Sequence, residues 1–105
     1  MNAFLSEGVS LRVRVRFFGI LREFVGSKEV DLKLNLSDPI TVRDVINALQ
    51  GALGKNVSEK LVSLWNEYSS LLILVNGINI RFSKGLDTLV NDGDEISIFP
   101  PGGGG

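Results

Sequence analysis

The sequence predicts an α+β domain in which one mixed sheet of four to five strands packs on one main helix. Two segments near the N-terminus alternate apolar and polar residues with period two, and Glu95–Phe99 does the same near the C-terminus. Between them, Thr41–Gly54 repeats its apolar residues at helical spacing. A length of 105 residues is typical of a single domain.

The two N-terminal segments predict neighbouring strands joined by a short helical turn. In Leu11–Phe18, the apolar residues that begin with Leu11 face inward, whereas three arginines and Phe18 share the exposed face. Glu29–Leu36 alternates again, and its valine and leucines, including Leu36, are expected to face the core. Ile20–Val25 between them is long enough for one helical turn.

Two helices are predicted in the middle of the chain. Thr41 begins the main helix, because Asp44 three residues later completes a pattern that resembles a capping box. Gly54 is expected to end this helix. Ser58 is expected to cap a second, shorter helix that reaches Trp65. The apolar stripe of the main helix consists of Val42, Val45, Ile46, Leu49 and Leu53.

The C-terminal half predicts further strands. Leu71–Val75 is continuously apolar, which is typical of a strand buried on both faces. Asn76-Gly77 is a strong hairpin signal, so Ile78–Phe82 is expected to be the return strand. Ser83–Asn91 is predicted to be irregular. Its expected anchors are Leu86 and Leu89.

The first and last strands are expected to lie side by side in parallel at the centre of the sheet, with the main helix as their crossover. This is the β-grasp, or ubiquitin-like, arrangement. We predict a loose N-terminal extension over residues 1–10, a β-grasp domain over residues 11–101, and a flexible glycine tail over residues 102–105.

The tail follows directly from the last predicted strand. Pro100 and Pro101 cannot donate to a ladder, so they end the strand and begin a stiff stem. Gly102–Gly105 lacks side chains and predicts a thin, flexible strip. Fully extended, it would carry a carboxylate on Gly105 on the order of 10–14 Å beyond Pro101. Such a strip suits a narrow channel in another protein's active site; the alternative is an unstructured linker or a cloning remnant.

Composition excludes several kinds of site. The chain has no cysteine and no histidine, which excludes disulfides, thiol nucleophiles, the usual general base and the commonest metal ligand. A net charge of −1 gives no case for nucleic acid or an anionic membrane. No apolar run approaches the roughly 18–20 residues of a membrane span, and Met1–Ser10 does not read as a secretion signal. We therefore predict no metal, nucleic acid or membrane partner, and a cytoplasmic location.

Several stretches together carry a resemblance over nearly the whole chain. They are Val13–Gly19, Leu21–Gly26, Leu74–Gly77, Asn91–Ile96 and Phe99–Pro101 with the glycine end. The most specific combination is an Asp-Gly-Asp-Glu turn followed within ten residues by Phe-Pro-Pro and Gly-Gly. These stretches resemble the MoaD/ThiS family of ubiquitin-like sulfur carriers, and most closely its molybdopterin synthase small-subunit branch.

The resemblance implies a role as a carrier rather than an enzyme. An ATP-using adenylyltransferase of the ubiquitin-activating type would adenylate Gly105, which follows Gly104, and sulfur would then replace AMP to leave a thiocarboxylate. No cofactor would be bound, and the chain can be counted as a non-catalytic subunit of molybdopterin synthase. The sulfur would pass to the molybdopterin synthase large subunit, for molybdenum cofactor synthesis, or to another sulfur acceptor. Related proteins supply tRNA or thiazole instead, or join their glycine to target-protein lysines.

Partner-binding residues are predicted at the root of the tail. Exposed aromatic residues there are candidate anchors, and Arg22 matches the family motif and could pair with a partner's carboxylate. The full set is Phe18, Arg22, Phe99, Pro100, Pro101, Gly102 and Gly103. The family more often has two other residues before its Gly-Gly, and Asn79 stands where it often presents an apolar interface residue. The second hypothesis is a protein-conjugating modifier with the same fold and tail, and the third is a plain β-grasp binding module.

Overall fold

The computed structural model describes residues 9–102. Its strands are β1 (Val9–Phe17), β2 (Glu29–Leu36), β3 (Ile40–Thr41), β4 (Leu72–Val75), β5 (Ile78–Asn79), β6 (Leu89–Val90) and β7 (Glu95–Phe99). Its α-helices are α1 (Leu21–Val25), α2 (Val42–Leu53) and α3 (Lys55–Glu67). Two short 3₁₀ helices cover Ile80–Phe82 and Gly85–Asp87. Most of the predicted N-terminal extension and the last three glycines lie outside the described residues.

Five of these strands form one mixed sheet in the order β2-β1-β7-β4-β5, and β3 pairs with β6 separately. The central strands β1 and β7 are parallel, with Val15 opposite Ile96, and the other neighbours in the sheet are antiparallel. A parallel pair needs a crossover, and the helices between the two strands belong to this connection. The predicted α+β, ubiquitin-like β-grasp fold is confirmed.

The inner face of the sheet packs on the helices. Val15, Phe17, Ile96 and Ile98 are all 0% exposed and belong to one core with the buried residues of α2. Those residues are Val42, Val45, Ile46 and Leu49. Since successive side chains of a strand point to opposite faces, Phe18 lies on the other side of the sheet from Phe17. We call that other side the outer face.

The predicted capping box at the start of α2 is confirmed. The backbone N–H of Asp44 donates to Thr41 Oγ1 at 3.2 Å, and the N–H of Thr41 donates to Asp44 Oδ2 at 2.9 Å. Two donors that the helix itself cannot satisfy are thereby paired. The helix ends before Gly54, which has φ 100°.

The prediction for the second helix was wrong in its start and its length. It begins at Lys55 and has 13 residues, against 12 in α2, because Gly54 turns the chain within a single residue. Ser58 is therefore no cap but lies inside α3, where it is buried. Its hydroxyl donates to the Ile46 carbonyl of α2 at 2.6 Å, so the buried polar group is satisfied between the two helices.

The predicted return strand Ile78–Phe82 was wrong beyond Asn79. The Asn79 side chain accepts a hydrogen bond from the Arg81 N–H at 2.9 Å. A local bond of this kind competes with a sheet ladder, and the chain turns into the 3₁₀ helix Ile80–Phe82. Phe82 is consequently 86% exposed.

Three boundary predictions also change. β1 begins at Val9 rather than Leu11 and pairs Val9 with Leu36, so the predicted extension loses its last two residues to the sheet. Leu36, at the end of β2, is 36% exposed instead of buried. Leu89 is 51% exposed, and its neighbour Val90 enters the core in its place, because the short β6 strand sends the two side chains in opposite directions. Within residues 9–102, no helix combines the length and apolar character needed to cross a bilayer.

The adjacent residues Phe17 and Phe18 provide a test of the β1 register. We expect Phe17→Ala to lower the free energy of unfolding by roughly 3–5 kcal/mol, since it empties a fully buried site. Phe18→Ala should cost far less, because its ring is only half-buried. Denaturant midpoints of the two variants provide the comparison. A larger loss for Phe18→Ala would place the register of β1 one residue out.

Candidate functional site

Two aromatic rings stack on the outer face where the sheet ends. Phe18 follows β1 directly and Phe99 ends β7; their ring centroids are 4.3 Å apart and their planes differ by 10°. The parallel register places Phe17 opposite Ile98, so the residues that follow them, Phe18 and Phe99, lie side by side. A hydrogen bond of 3.0 Å from the Phe18 N–H to the Ile98 carbonyl fixes this position. The structure thus brings the predicted pair together; its role in binding stays a prediction.

Arginines cover the aromatic stack. The guanidinium carbons of Arg16 and Arg22 each lie 5.3 Å from the centroid of the Phe18 ring, within the range of a cation–π contact. Arg22 Nε also donates to the Phe17 carbonyl at 2.8 Å, which ties α1 to the end of β1. Arg22 therefore supports the stack, and its remaining N–H groups have no protein partner among the described residues.

Pro100 packs against a glycine that the sequence does not single out as a site residue. Gly19 has φ +58°, and a Cβ built on it would approach Pro100 Cγ to 3.1 Å. Any other residue would meet both backbone strain and a tight contact here. Gly19 therefore allows the stem of the tail to lie close against the end of β1. In the sequence, Gly19 can be identified only as the residue that ends the first strand.

The structure adds two leucines to the candidate site. Leu72 lies opposite Phe99 and Leu74 opposite Ser97 in the antiparallel β4–β7 pair, so both leucines lie on the outer face. They are half-buried, and the prediction that β4 is buried on both faces was wrong. We call Phe18, Phe99, Leu72 and Leu74 the apolar strip.

Charged side chains border the apolar strip. Arg14 Nε donates to Asp31 at 2.9 Å, and this hydrogen bond, with the nearby charges of Asp31 and Glu29, raises the pKa of Arg14 above its ordinary value. Arg16 lies within 3.7 Å of Glu29 and 3.8 Å of Glu95. Exposed pairs of this kind add little stability. An apolar centre with a polar border is nevertheless the usual composition of a protein-binding surface.

A shallow cleft of about 350 Å³ lies elsewhere on the outer face, over the beginning of β1. Its charged lining mixes three cations with three carboxylates: Arg12, Arg14, Lys33, Asp31, Asp94 and Glu95. Arg12, at one end of the cleft, lies six residues from Phe18 in an extended segment, or about 20 Å away, whereas Arg14, Asp31 and Glu95 of the lining also border the apolar strip. Only the Arg12 end of the cleft is therefore remote from the root of the tail.

The tail leaves the sheet at the end of the apolar strip. Pro100 and Pro101 are half-buried, Gly102 is exposed, and the Gly102 N–H donates to Ser70 Oγ at 3.2 Å. The predicted site residues Gly103, Gly104 and Gly105 lie outside the described residues. In residues 9–102, no three His, Cys, Asp or Glu side chains are grouped so that they could hold a metal ion.

A ubiquitin-like domain with a glycine tail beside a half-buried apolar strip belongs to the class of small carrier and modifier proteins. A family model described as the ThiS family matches residues 15–105, and the chain belongs to this family.

Individual relatives agree with this assignment. Small archaeal modifier protein 3 of Haloferax volcanii is 30% identical over 95 residues, which cover 90% of this chain and 100% of that protein. A candidate sulfur carrier protein of Archaeoglobus fulgidus is 40% identical over 76 residues, covering 71% and 84% of the two chains. The solution structure of small archaeal modifier protein 1 from Methanosarcina acetivorans superposes with a TM-score of 0.69 at 34% identity, covering 93% of this chain and 100% of that one.

The stacked aromatics should anchor a partner. We expect Phe18→Ala and Phe99→Ala each to weaken binding of a protein partner by about 1–3 kcal/mol, since aromatic anchors dominate interfaces. Calorimetric titration measures the affinities. Phe82→Ala is the matched control, because it removes an exposed ring outside the apolar strip. Unchanged affinity in both strip variants would rule out this surface as the docking site.

Proposed function

We propose that this chain carries sulfur on its C-terminus. The carboxylate of Gly105 is adenylated by an ATP-using partner of the ubiquitin-activating type and is then converted to a thiocarboxylate. The observation that carries this proposal is the root of the tail, where β7 runs directly into Pro100, Pro101 and Gly102 beside the apolar strip. Membership of the ThiS family supports it.

Activation solves a chemical problem of the carboxylate. An ionised carboxylate is a poor electrophile because its charge is delocalised over both oxygens. Attack of one oxygen on the α-phosphorus of ATP releases pyrophosphate and gives an acyl-adenylate, from which AMP leaves readily. Hydrosulfide can then replace AMP at the carbonyl carbon, which leaves the thiocarboxylate and free AMP with no change of oxidation state. The partner supplies the nucleophile and the charge stabilisation, so the carrier needs only its terminal glycine.

The chain's own residues contribute position. Docking of the apolar strip would place the root of the tail at a fixed point on the partner, because the aromatic stack adjoins Pro100. From Gly102 onward, three further residues could extend by about 10 Å into the partner. Glycine carries no Cβ, so a channel can enclose the backbone closely and exclude bulkier chains. Holding the reacting group in place in this way lowers the entropic part of the barrier.

For the final acceptor we propose molybdopterin, with the chain as the non-catalytic small subunit of molybdopterin synthase. The resemblance of Val13–Gly19 and Phe99–Pro101 to that branch supports this choice. Because adenylation consumes ATP, we place the chain in the cytoplasm.

The second candidate function is protein modification. The 30% identity to small archaeal modifier protein 3, which extends over all of that protein, favours it. Both functions share adenylation and differ in the nucleophile, which is sulfur for the carrier and a lysine amine for the modifier.

Shortening the tail tests the proposed reactive end. Deleting Gly104 and Gly105 should abolish ATP–pyrophosphate exchange with the adenylating enzyme, because the new carboxylate would stop short of the nucleotide. The melting temperature should change by no more than a few degrees, since residues at a terminus make few packing contacts. A control that lacks Asn2 and Ala3 should exchange normally. Exchange by the shortened tail would show that this end is not the reactive arm.

A further inference from the structure

The first glycine of the tail is held by a residue distant in sequence. The Gly102 N–H donates to Ser70 Oγ at 3.2 Å, and the two residues are 32 positions apart. Pro100 and Pro101 have no N–H, so Gly102 carries the first backbone donor after Phe99. Gly102 is therefore the first residue of the tail whose backbone N–H can donate a hydrogen bond to the domain.

Ser70 belongs to a turn that is fixed at both ends. The turn joins α3 to β4 and is closed by a 3.1 Å hydrogen bond from the Leu71 N–H to the Tyr68 carbonyl. Arg81 Nη2 donates to the same carbonyl at 3.2 Å, and the Arg81 guanidinium carbon lies 3.7 Å from the centroid of the Trp65 ring. Leu71 is 1% exposed, so the turn ends in the core. The Ser70 hydroxyl is thus presented by a well-supported backbone.

The root of the tail is consequently held from both neighbours of β7. On the β1 side, Gly19 admits Pro100, and Phe18 stacks on Phe99. On the β4 side, Ser70 accepts the hydrogen bond of Gly102. Contacts on two sides define a direction for the tail, which a single contact would leave open.

We propose that Ser70 is a positioning residue for the tail, a role that rests on the proposed function. Its hydroxyl sets the direction in which Gly102 leaves the sheet and shortens the segment that the adenylating partner must order. Fixing a backbone in one conformation costs entropy, and glycine loses the most. Because the hydrogen bond to Ser70 already restricts Gly102 in the free chain, part of this entropy is lost before the partner binds. Ser70 contacts none of the reacting atoms and acts only through the tail.

The contact can be measured on the isolated chain. We expect Ser70→Ala to speed hydrogen exchange of the Gly102 amide about two- to tenfold, the range that corresponds to one exposed hydrogen bond. Ser70→Thr keeps the hydroxyl and should keep the slow exchange. Ser69→Ala removes the adjacent hydroxyl, which forms no hydrogen bond among those of residues 9–102, and is the matched control. Equal Gly102 exchange in all four proteins would overturn the contact.

Activation kinetics then test the role. In ATP–pyrophosphate exchange with the adenylating enzyme, Ser70→Ala should raise the KM for the carrier about two- to tenfold and leave kcat unchanged. Ser70→Thr should restore the KM, and Ser69→Ala should not alter it. An unchanged KM for an activated Ser70→Ala chain would overturn only the positioning role. Absence of exchange with the wild-type chain would overturn the proposed function itself, and with it the role of Ser70.

Discussion

The parallel pairing of β1 with β7 is the constraint on which the other features depend. Because two parallel strands cannot be joined by a tight turn, the chain between them must cross over, and α2 and α3 are part of this connection. The same pairing puts the C-terminal strand at the centre of the sheet, between β1 and β4. The tail therefore leaves from a strand with a hydrogen-bonded neighbour on each side.

The two faces of the sheet differ in burial. The inner face is closed by the helices, and its central side chains, such as Phe17 and Ile98, are fully buried. The outer face keeps an apolar strip half-exposed, with arginines and carboxylates around it. A contiguous apolar surface is a liability for a monomer and commonly marks an interaction site. Under the proposed function, its position at the root of the tail would link docking of a partner to delivery of the terminal glycine.

Local sequence patterns predicted the elements that depend on local physics. Strand alternation identified β1, β2 and β7, the pair Thr41 and Asp44 identified the start of α2, and pleating placed Phe18 and Phe99 on one face. The features that could not be predicted depend on contacts between residues distant in sequence. The partial exposure of β4 could not be predicted, because the residues of this strand are apolar on both faces. Ser70 contacts Gly102 because the strand register brings the start of β4 beside the end of β7. The predicted end of β5 was wrong because the Asn79 side chain accepts a hydrogen bond from the nearby backbone N–H of Arg81.

The carboxylate of Gly105 is the centre of the proposed function, and intact mass spectrometry of the protein purified from its native host examines it most directly. We expect a fraction with a gain of about 16 Da, oxygen replaced by sulfur, located by fragmentation in the C-terminal peptide. A link from Gly105 to a lysine of another protein would instead assign the chain to conjugation. An unmodified carboxylate on every molecule, in cells that are actively making the sulfur-containing product, would contradict a carrier role.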